Sequence, residues 1–258
     1  MPVSTLKSKA QAALPLTGVS VLITRPRHLA RALADALAAR GADPIVVPTI
    51  EIVPVIDIGI ARDLGRHAWI ALTSANAVES LLASLAASGR DARDIGECKI
   101  ATIGPATAAA VRKRGLEPDL VCDRATSEDF AKELLAATAD GDRILLYQAK
   151  DARKALREAL EATHDVTVRS AYETRLRVAP ELRSAIDRAD AITFASSSAI
   201  RGFVKNNGST DGKVVACLGP IVAKGATEAG IRVDTVATDF TSDGLAKALA
   251  EFYASARS

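Results

Sequence analysis

A chain of 258 residues with 48% hydrophobic and 25% charged side chains and a formal net charge of +2 has an ordinary globular composition, and its length suits two domains of roughly 110–130 residues. Interspersed charge signs and an aromatic share of only 3% exclude a nucleic-acid face, which needs clustered cations and stacking rings. Cys98, Cys122 and Cys217 lie far apart with no C-x-x-C pair, which excludes a disulfide framework or a zinc site and predicts three buried thiols.

Residues 1–15 carry no apolar stretch long enough for a signal peptide, and no run approaches a membrane span, so a cytoplasmic protein is expected, with disorder confined to its ends. VSVLIT (19–24) predicts the first strand. A helix over about 27–40 follows, with Leu29, Leu33 and Leu37 at fourfold spacing and a stop at Gly41. DPIVVPTIEIVPVI (43–56) then breaks the rhythm as a long β-prone segment. The strand WIALT (69–73) precedes a helix over 75–87 that ends near Gly89. KIATI (99–103), PDLVC (118–122) and RILLYQ (143–148) are the next strands, each followed by an amphipathic stretch. DVTVRSAYETRLRV (165–178) is a second long β-prone segment, and AITFA (191–195), KVVACL (213–218) and VDTVA (233–237) complete the set. Strands alternating with helices predict βαβ units and parallel sheets. The two long segments read as bridges that pair as a ribbon between domains.

The pattern is written twice. IATIGPATAAAVRKRGLEPDLVCDRATSEDFAKEL (100–134) recurs as VACLGPIVAKGATEAGIRVDTVATDFTSDGLAKAL, so that Gly104-Pro105 matches Gly219-Pro220, Gly115 matches Gly230, Asp119 matches Asp234, and Thr126-Ser127 match Thr241-Ser242. ALTSANAVESLL (71–82) likewise matches TFASSSAIRGFV (193–204), and ITRPRHLARALADAL (23–37) more loosely matches LYQAKDARKALREAL (146–160). An internal repeat implies two similar domains with a ligand held between them.

In a parallel sheet ligands bind at the carboxyl ends of the strands, where helix N-termini point. Thr24, Arg25 and Pro26 fall there, as do Thr73, Ser74 and Ala75, Gly104, Ser127, the run Ser196, Ser197 and Ser198, Gly219, and Ser242. Each hydroxyl or glycine is explained singly as a helix cap. Together they make rims of free amides and hydroxyls suited to several carboxylates or phosphates. No G-x-G-x-x-G follows a strand, and neither a P-loop nor a G-x-S-x-G elbow occurs, which disfavours dinucleotide, P-loop nucleotide and serine-hydrolase chemistry. His28, His67 and His164 share no ligand spacing and read as solvent-facing. Tyr172, in the second bridge, is either a hinge-packing ring or a proton donor.

Taken in order, VLITRP (21–26), VVPTIEI (46–52), LTSANAV (72–78), IGPATAAA (103–110), GLEPDLV (115–121), AYET (171–174), FASSSAI (194–200), LGP (218–220) and FTSDGLAKAL (240–249) resemble the uroporphyrinogen-III synthase family from Val19 to Phe252. The resemblance implies two flavodoxin-like α/β domains joined by a two-stranded β-ribbon. One would be residues 1–47 plus 175–258, and the other 48–174. It implies a lyase that needs no cofactor and no metal: hydroxymethylbilane loses its terminal hydroxyl, the last pyrrole ring inverts through a spiro intermediate, and the macrocycle closes with loss of water. It further implies Tyr172 as general acid and the rim residues, with Thr107, Gln148 and Lys150, as substrate ligands. A monomer is expected, making only a transient contact with the preceding pathway enzyme and none with membrane. The chain departs from the family at Ile221-Val222, where a threonine is common, and at Gln148-Ala149, where Arg-Gly is common. Arg25 and Lys150 are the substitute cations. The competing reading is a catalytically inactive binding or regulatory protein of the same fold.

Overall fold

A computed structural model describes residues 14–122 and 126–256; the expectations for residues 1–13 and for the last two residues lie outside the described residues. The strands are β1 (Ser20–Ile23), β2 (Asp43–Val46), β3 (Ile50–Pro54), β4 (Trp69–Leu72), β5 (Lys99–Ile103), β6 (Leu120–Cys122), β7 (Arg143–Ala149), β8 (Asp165–Leu176), β9 (Ala191–Phe194), β10 (Val214–Cys217) and β11 (Thr235–Val236). The helices are α1 (Arg27–Ala38), α2 (Ile60–Leu64), α3 (Ala75–Ala87), α4 (Gly104–Arg112), α5 (Ser127–Ala137), α6 (Ala155–Glu161), α7 (Leu182–Arg188), α8 (Ser197–Lys205), α9 (Pro220–Glu228) and α10 (Ser242–Ala256). Gly41 and Gly89 follow α1 and α3 with φ of +93° and +72°, the left-handed turn that ends a helix at no steric cost to glycine.

The chain divides into two compact units. The first, Met1–Glu51 with Leu176–Ser258, holds a five-stranded sheet in the order β11-β10-β9-β1-β2, parallel throughout. Alternation along β1 sends Val21 and Ile23 into a core with Leu33, Leu37, Leu245 and Leu249, and Leu22 into the opposite core with Ile192, Phe194 and Phe203. The second unit, Ile52–Arg175, carries a sheet in the order β3-β8-β7-β4-β5-β6 whose pairs from β8 to β6 are parallel. Ile70, Leu72, Leu145 and Tyr147 face one core, and Trp69, Ala71, Ile144 and Leu146 face the other.

The two long β-prone segments behave differently from a simple pair of bridges. Residues 43–56 form two strands, with β2 ending at Val46 and β3 starting at Ile50. Pro48 has no N–H for a ladder, and Thr49 turns away, donating its N–H to Thr24 O at 3.1 Å and its hydroxyl to Ala199 O at 2.9 Å. Residues 165–176 form one strand, but its first part pairs in parallel with β7 before the strand continues alongside β3. Thr49 O accepts from Arg177 N–H, and Ala171 O accepts from Val55 N–H, both at 2.9 Å; one partner rises in number as the other falls, so the ribbon is antiparallel.

His67 corrects the expectation of solvent-facing histidines. It is 7% exposed, with Nδ1 2.5 Å from Asp63 O and Nε2 2.8 Å from the Thr167 hydroxyl. It closes the turn after α2 onto β8, a long-range contact invisible in local sequence. The three cysteines are buried free thiols, with burial pushing Cys98 and Cys217 up to about 12. No helix of the described residues is long and apolar enough to cross a membrane.

Candidate functional site

In the second unit the rim is built at the carboxyl ends of β4, β5 and β7 and beside β8. Ser74 caps α3: in extended conformation (φ −165°, ψ 159°) it accepts the Ala77 N–H at 3.2 Å. The same hydroxyl donates to the Tyr172 phenol oxygen at 3.1 Å. In this bond the phenol oxygen is the acceptor, so its own O–H is not used by it and can donate elsewhere.

A β-bulge puts Tyr172 there. Gln148 pairs with Ser170, but Ala149 pairs with Tyr172, leaving Ala171 as an extra residue on β8. Up to that point β8 alternates, with Val166 and Val168 facing the Trp69 and Ile144 core. Ala171 and Tyr172 instead both lie against the Leu72 and Tyr147 core. The inserted residue switches Tyr172 to the face of α3, the re-aiming that bulges commonly perform. The only trace of this device in the sequence is the pair of adjacent apolar residues in AYET, where strict alternation predicts one of each kind.

At the end of β5, Gly104 opens α4 with φ +75°, and Thr107, one turn into that helix, is buried. Gln148 is 7% exposed at the end of β7, and no side-chain partner holds it among the described residues. Thr73 and Ala75 flank Ser74 and are half-buried. Ser127 is the first residue of α5, but the cap is Thr126, which accepts from Asp129 N–H at 3.1 Å. Lys150 lies 3.6 Å from Glu173. The hydrogen bond from Arg175, then the Lys150 charge, hold the Glu173 carboxyl below its usual range, so Lys150 is already shared. Tyr147 is fully buried, with its phenol oxygen 3.4 Å from the Ser84 hydroxyl, and burial raises its pKa; it belongs to the core rather than the rim.

The first unit has its own rim at the ends of β1, β9 and β10. Ser196 caps α8 with nearly the same geometry as Ser74 (φ −159°, ψ 152°), accepting Ala199 N–H at 3.2 Å, and its hydroxyl lies 3.1 Å from that of Ser198. Ser197 sits against Gly225 of α9. Gly219 is the N-cap of α9. Thr24 is fully buried and donates to Thr193 O at 3.0 Å, so its hydroxyl is spent inside the sheet. Arg25 donates to the Ser242 hydroxyl at 3.3 Å at the start of α10, and no carboxylate pairs with it among the described residues. Burial lowers its pKa, yet a guanidinium remains charged. A half-buried arginine with no carboxylate partner among the described residues has the chemistry to bind an anion. The two rims therefore differ: a hydrogen-bonded phenol marks one and an uncompensated cation the other. No group of three or more His, Cys, Asp or Glu is placed to hold a metal ion among the described residues.

Comparison with known proteins agrees with this architecture. The chain is 29% identical to the uroporphyrinogen-III synthase of Synechococcus elongatus, over 92% of this chain and 97% of that one. It is 26% identical to the porphyrin biosynthesis protein HemD of Ruminiclostridium josui, over 92% of this chain but only 49% of that protein's length. Solved structures of uroporphyrinogen-III synthases share the fold. A mutant of the Thermus thermophilus enzyme superposes with a TM-score of 0.61 at 20% identity, covering 93% of this chain and 99% of that one. The Helicobacter pylori enzyme gives 0.63 at 14% identity, covering 89% and 97%. The profile of the family described as uroporphyrinogen-III synthase HemD matches residues 31–247, from the first helix to the last, and on that match the chain belongs to the uroporphyrinogen-III synthase family.

Proposed function

We propose that the chain cyclises hydroxymethylbilane to uroporphyrinogen III with inversion of the last pyrrole ring and loss of water. The observation that carries this reading is the bulge-directed pairing of Tyr172 with Ser74, which leaves a phenolic proton on offer at the rim of the second unit. In the proposed reaction Tyr172 gives that proton to the departing hydroxyl, which leaves as water. The resulting electrophilic carbon is attacked by the substituted carbon of the last ring, the spiro intermediate reopens and recloses, and the proton lost as the pyrrole regains aromaticity returns to the phenolate. Loss of hydroxide from an electron-rich pyrrolic carbinol is easy, so most of the task is holding the chain in the geometry that selects this closure.

The substrate's acetate and propionate carboxylates suit Arg25 and the rim amides at Ser74, Gly104, Ser196, Ser198 and Gly219. Thr107 and Gln148 offer a buried hydroxyl and a buried amide elsewhere in the same unit. Lys150, shared with Glu173, is a weaker ligand than Arg25 in this scheme.

The test is the isomer ratio of the porphyrins formed when the purified chain meets freshly generated hydroxymethylbilane in the presence of a chelator. The type III isomer is expected to dominate. Type I alone would end this reading.

A further inference from the structure

Phe240 is a large apolar side chain left 57% exposed at the first unit's rim, directly before the cap of α10. A single exposed apolar residue needs no explanation. This one packs one side of its ring against a glycine at the start of α9. Gly219 has φ −176°, extended backbone open to any residue, yet a Cβ there would stand 3.1 Å from Phe240 Cδ1, 3.2 Å from Cε1 and 3.6 Å from Cγ. The ring therefore packs closely on the Gly219 backbone. Ile221, two residues on, is 55% exposed and adds a second apolar group at the start of α9. On the other side of the same turn, Ser242 holds Arg25. Residues 240–242 thus join an exposed aromatic face to an arginine lacking a carboxylate partner among the described residues.

We infer that Phe240 is a positioning residue, whose exposed ring stacks on a pyrrole ring of the substrate while Arg25 takes a carboxylate borne by that ring. This rests on the function proposed above and adds a subsite to it. A cation alone captures any carboxylate; a ring beside it selects carboxylates attached to flat aromatic units, and offset stacking fixes the plane of the unit held. The departure at Ile221-Val222 has a role in this scheme, widening the apolar shelf where a threonine would make it polar.

The experiment titrates uroporphyrin III, an unreactive tetrapyrrole with acetate and propionate groups, into the full chain and into Phe240→Ala and Phe240→Trp. Butane-1,2,3,4-tetracarboxylate serves as a ring-free competitor, and hydroxymethylbilane turnover is followed in parallel. Aromatic pairing of ordinary strength predicts that Phe240→Ala weakens uroporphyrin binding and raises KM between about twofold and about tenfold. The variant should leave kcat and tetracarboxylate competition unchanged, and Phe240→Trp should restore binding. Equal weakening of both probes, or unchanged uroporphyrin affinity in Phe240→Ala while the unsubstituted chain turns substrate over, would overturn the subsite alone. An unsubstituted chain with neither turnover nor uroporphyrin binding would overturn the subsite together with the reading beneath it.

Discussion

The strand-to-helix turns of the two units can be laid side by side, and they agree in scaffold while differing in chemistry. Asp119 accepts the Ile100 N–H at 2.8 Å, and Asp234 accepts the Val215 N–H at 2.9 Å. Ser74 and Ser196 cap α3 and α8 with matching dihedrals and the same 3.2 Å bond. Gly104-Pro105 and Gly219-Pro220 both open helices, yet Gly104 is left-handed at φ +75° and Gly219 extended at −176°. The contacts common to both units satisfy backbone groups. The contacts found in one unit only, Ser74 with Tyr172 and Arg25 with Ser242, are the ones the proposed function draws on. Backbone demands are imposed on any βα turn, whereas a phenol or a free guanidinium must be brought in from another strand.

The sharpest way to break this contrast is to remove the phenol. General acids contribute on the order of 10²–10⁴ in rate, and because this leaving group departs readily, Tyr172→Phe should lower kcat by about 10²-fold or less. The melting temperature should hold, since the ring volume is kept. Tyr147→Phe, in the core, should leave kcat near that of the unsubstituted chain. A Tyr172→Phe protein with full turnover would make Tyr172 a packing residue.

The second test concerns the helices behind the two caps. In α8, Gly202 lies under Thr49, and a Cβ would stand 2.3 Å from Thr49 O; the corresponding position in α3 is Ser80, buried with its side chain accommodated. Gly202→Ala should cost about 1–3 kcal/mol by overpacking, read as a lower denaturant midpoint, whereas Ser80→Ala should cost less. Equal losses would mean that the approach of Thr49 is not what calls for glycine.

Third, Ser74→Ala and Ser196→Ala each remove one cap, at a cost of about 1 kcal/mol. If the rims differ as described, the two variants melt alike but only Ser74→Ala slows turnover, because only Ser74 orients Tyr172. Matching kinetics in the two would erase the distinction.

The last effect should be common to both units. Cys98 and Cys217 are each pushed up to about 12, burial being the first cause. A folded pKa above the unfolded one stabilises below the unfolded value, so stability should be flat below about pH 9 and fall as pH rises from there toward 12. At pH 8 both thiols should resist iodoacetamide in the native protein and react in urea. Native reactivity at one of them would show that its unit opens locally.

Much of this was legible in the residues. Every expected strand forms, because short β-branched runs bounded by glycine and turn residues have few other ways to bury themselves, and the helix stops at Gly41 and Gly89 follow from glycine's freedom at positive φ. The hydroxyls at Ser74 and Ser196 were readable as caps, since a cap bonds three residues away. Less legible were Thr24, spent on a neighbouring strand, Ser127 and Ser242, which stand one place inside their helices behind Thr126 and Thr241, and His67, buried against a strand a hundred residues away.

By itself the sequence determined the kinds of element, their order and the polar character of the turns, all properties of short stretches acting on their own backbone. Tertiary structure alone decided that β1 lies between β9 and β2, that Pro48 divides one β-prone run between two sheets, and that an extra residue in β8 turns Tyr172 toward Ser74. The reason is physical. Local propensity depends on neighbours in sequence, but sheet partners and the direction of a side chain at a bulge depend on which distant strand supplies the missing hydrogen bonds.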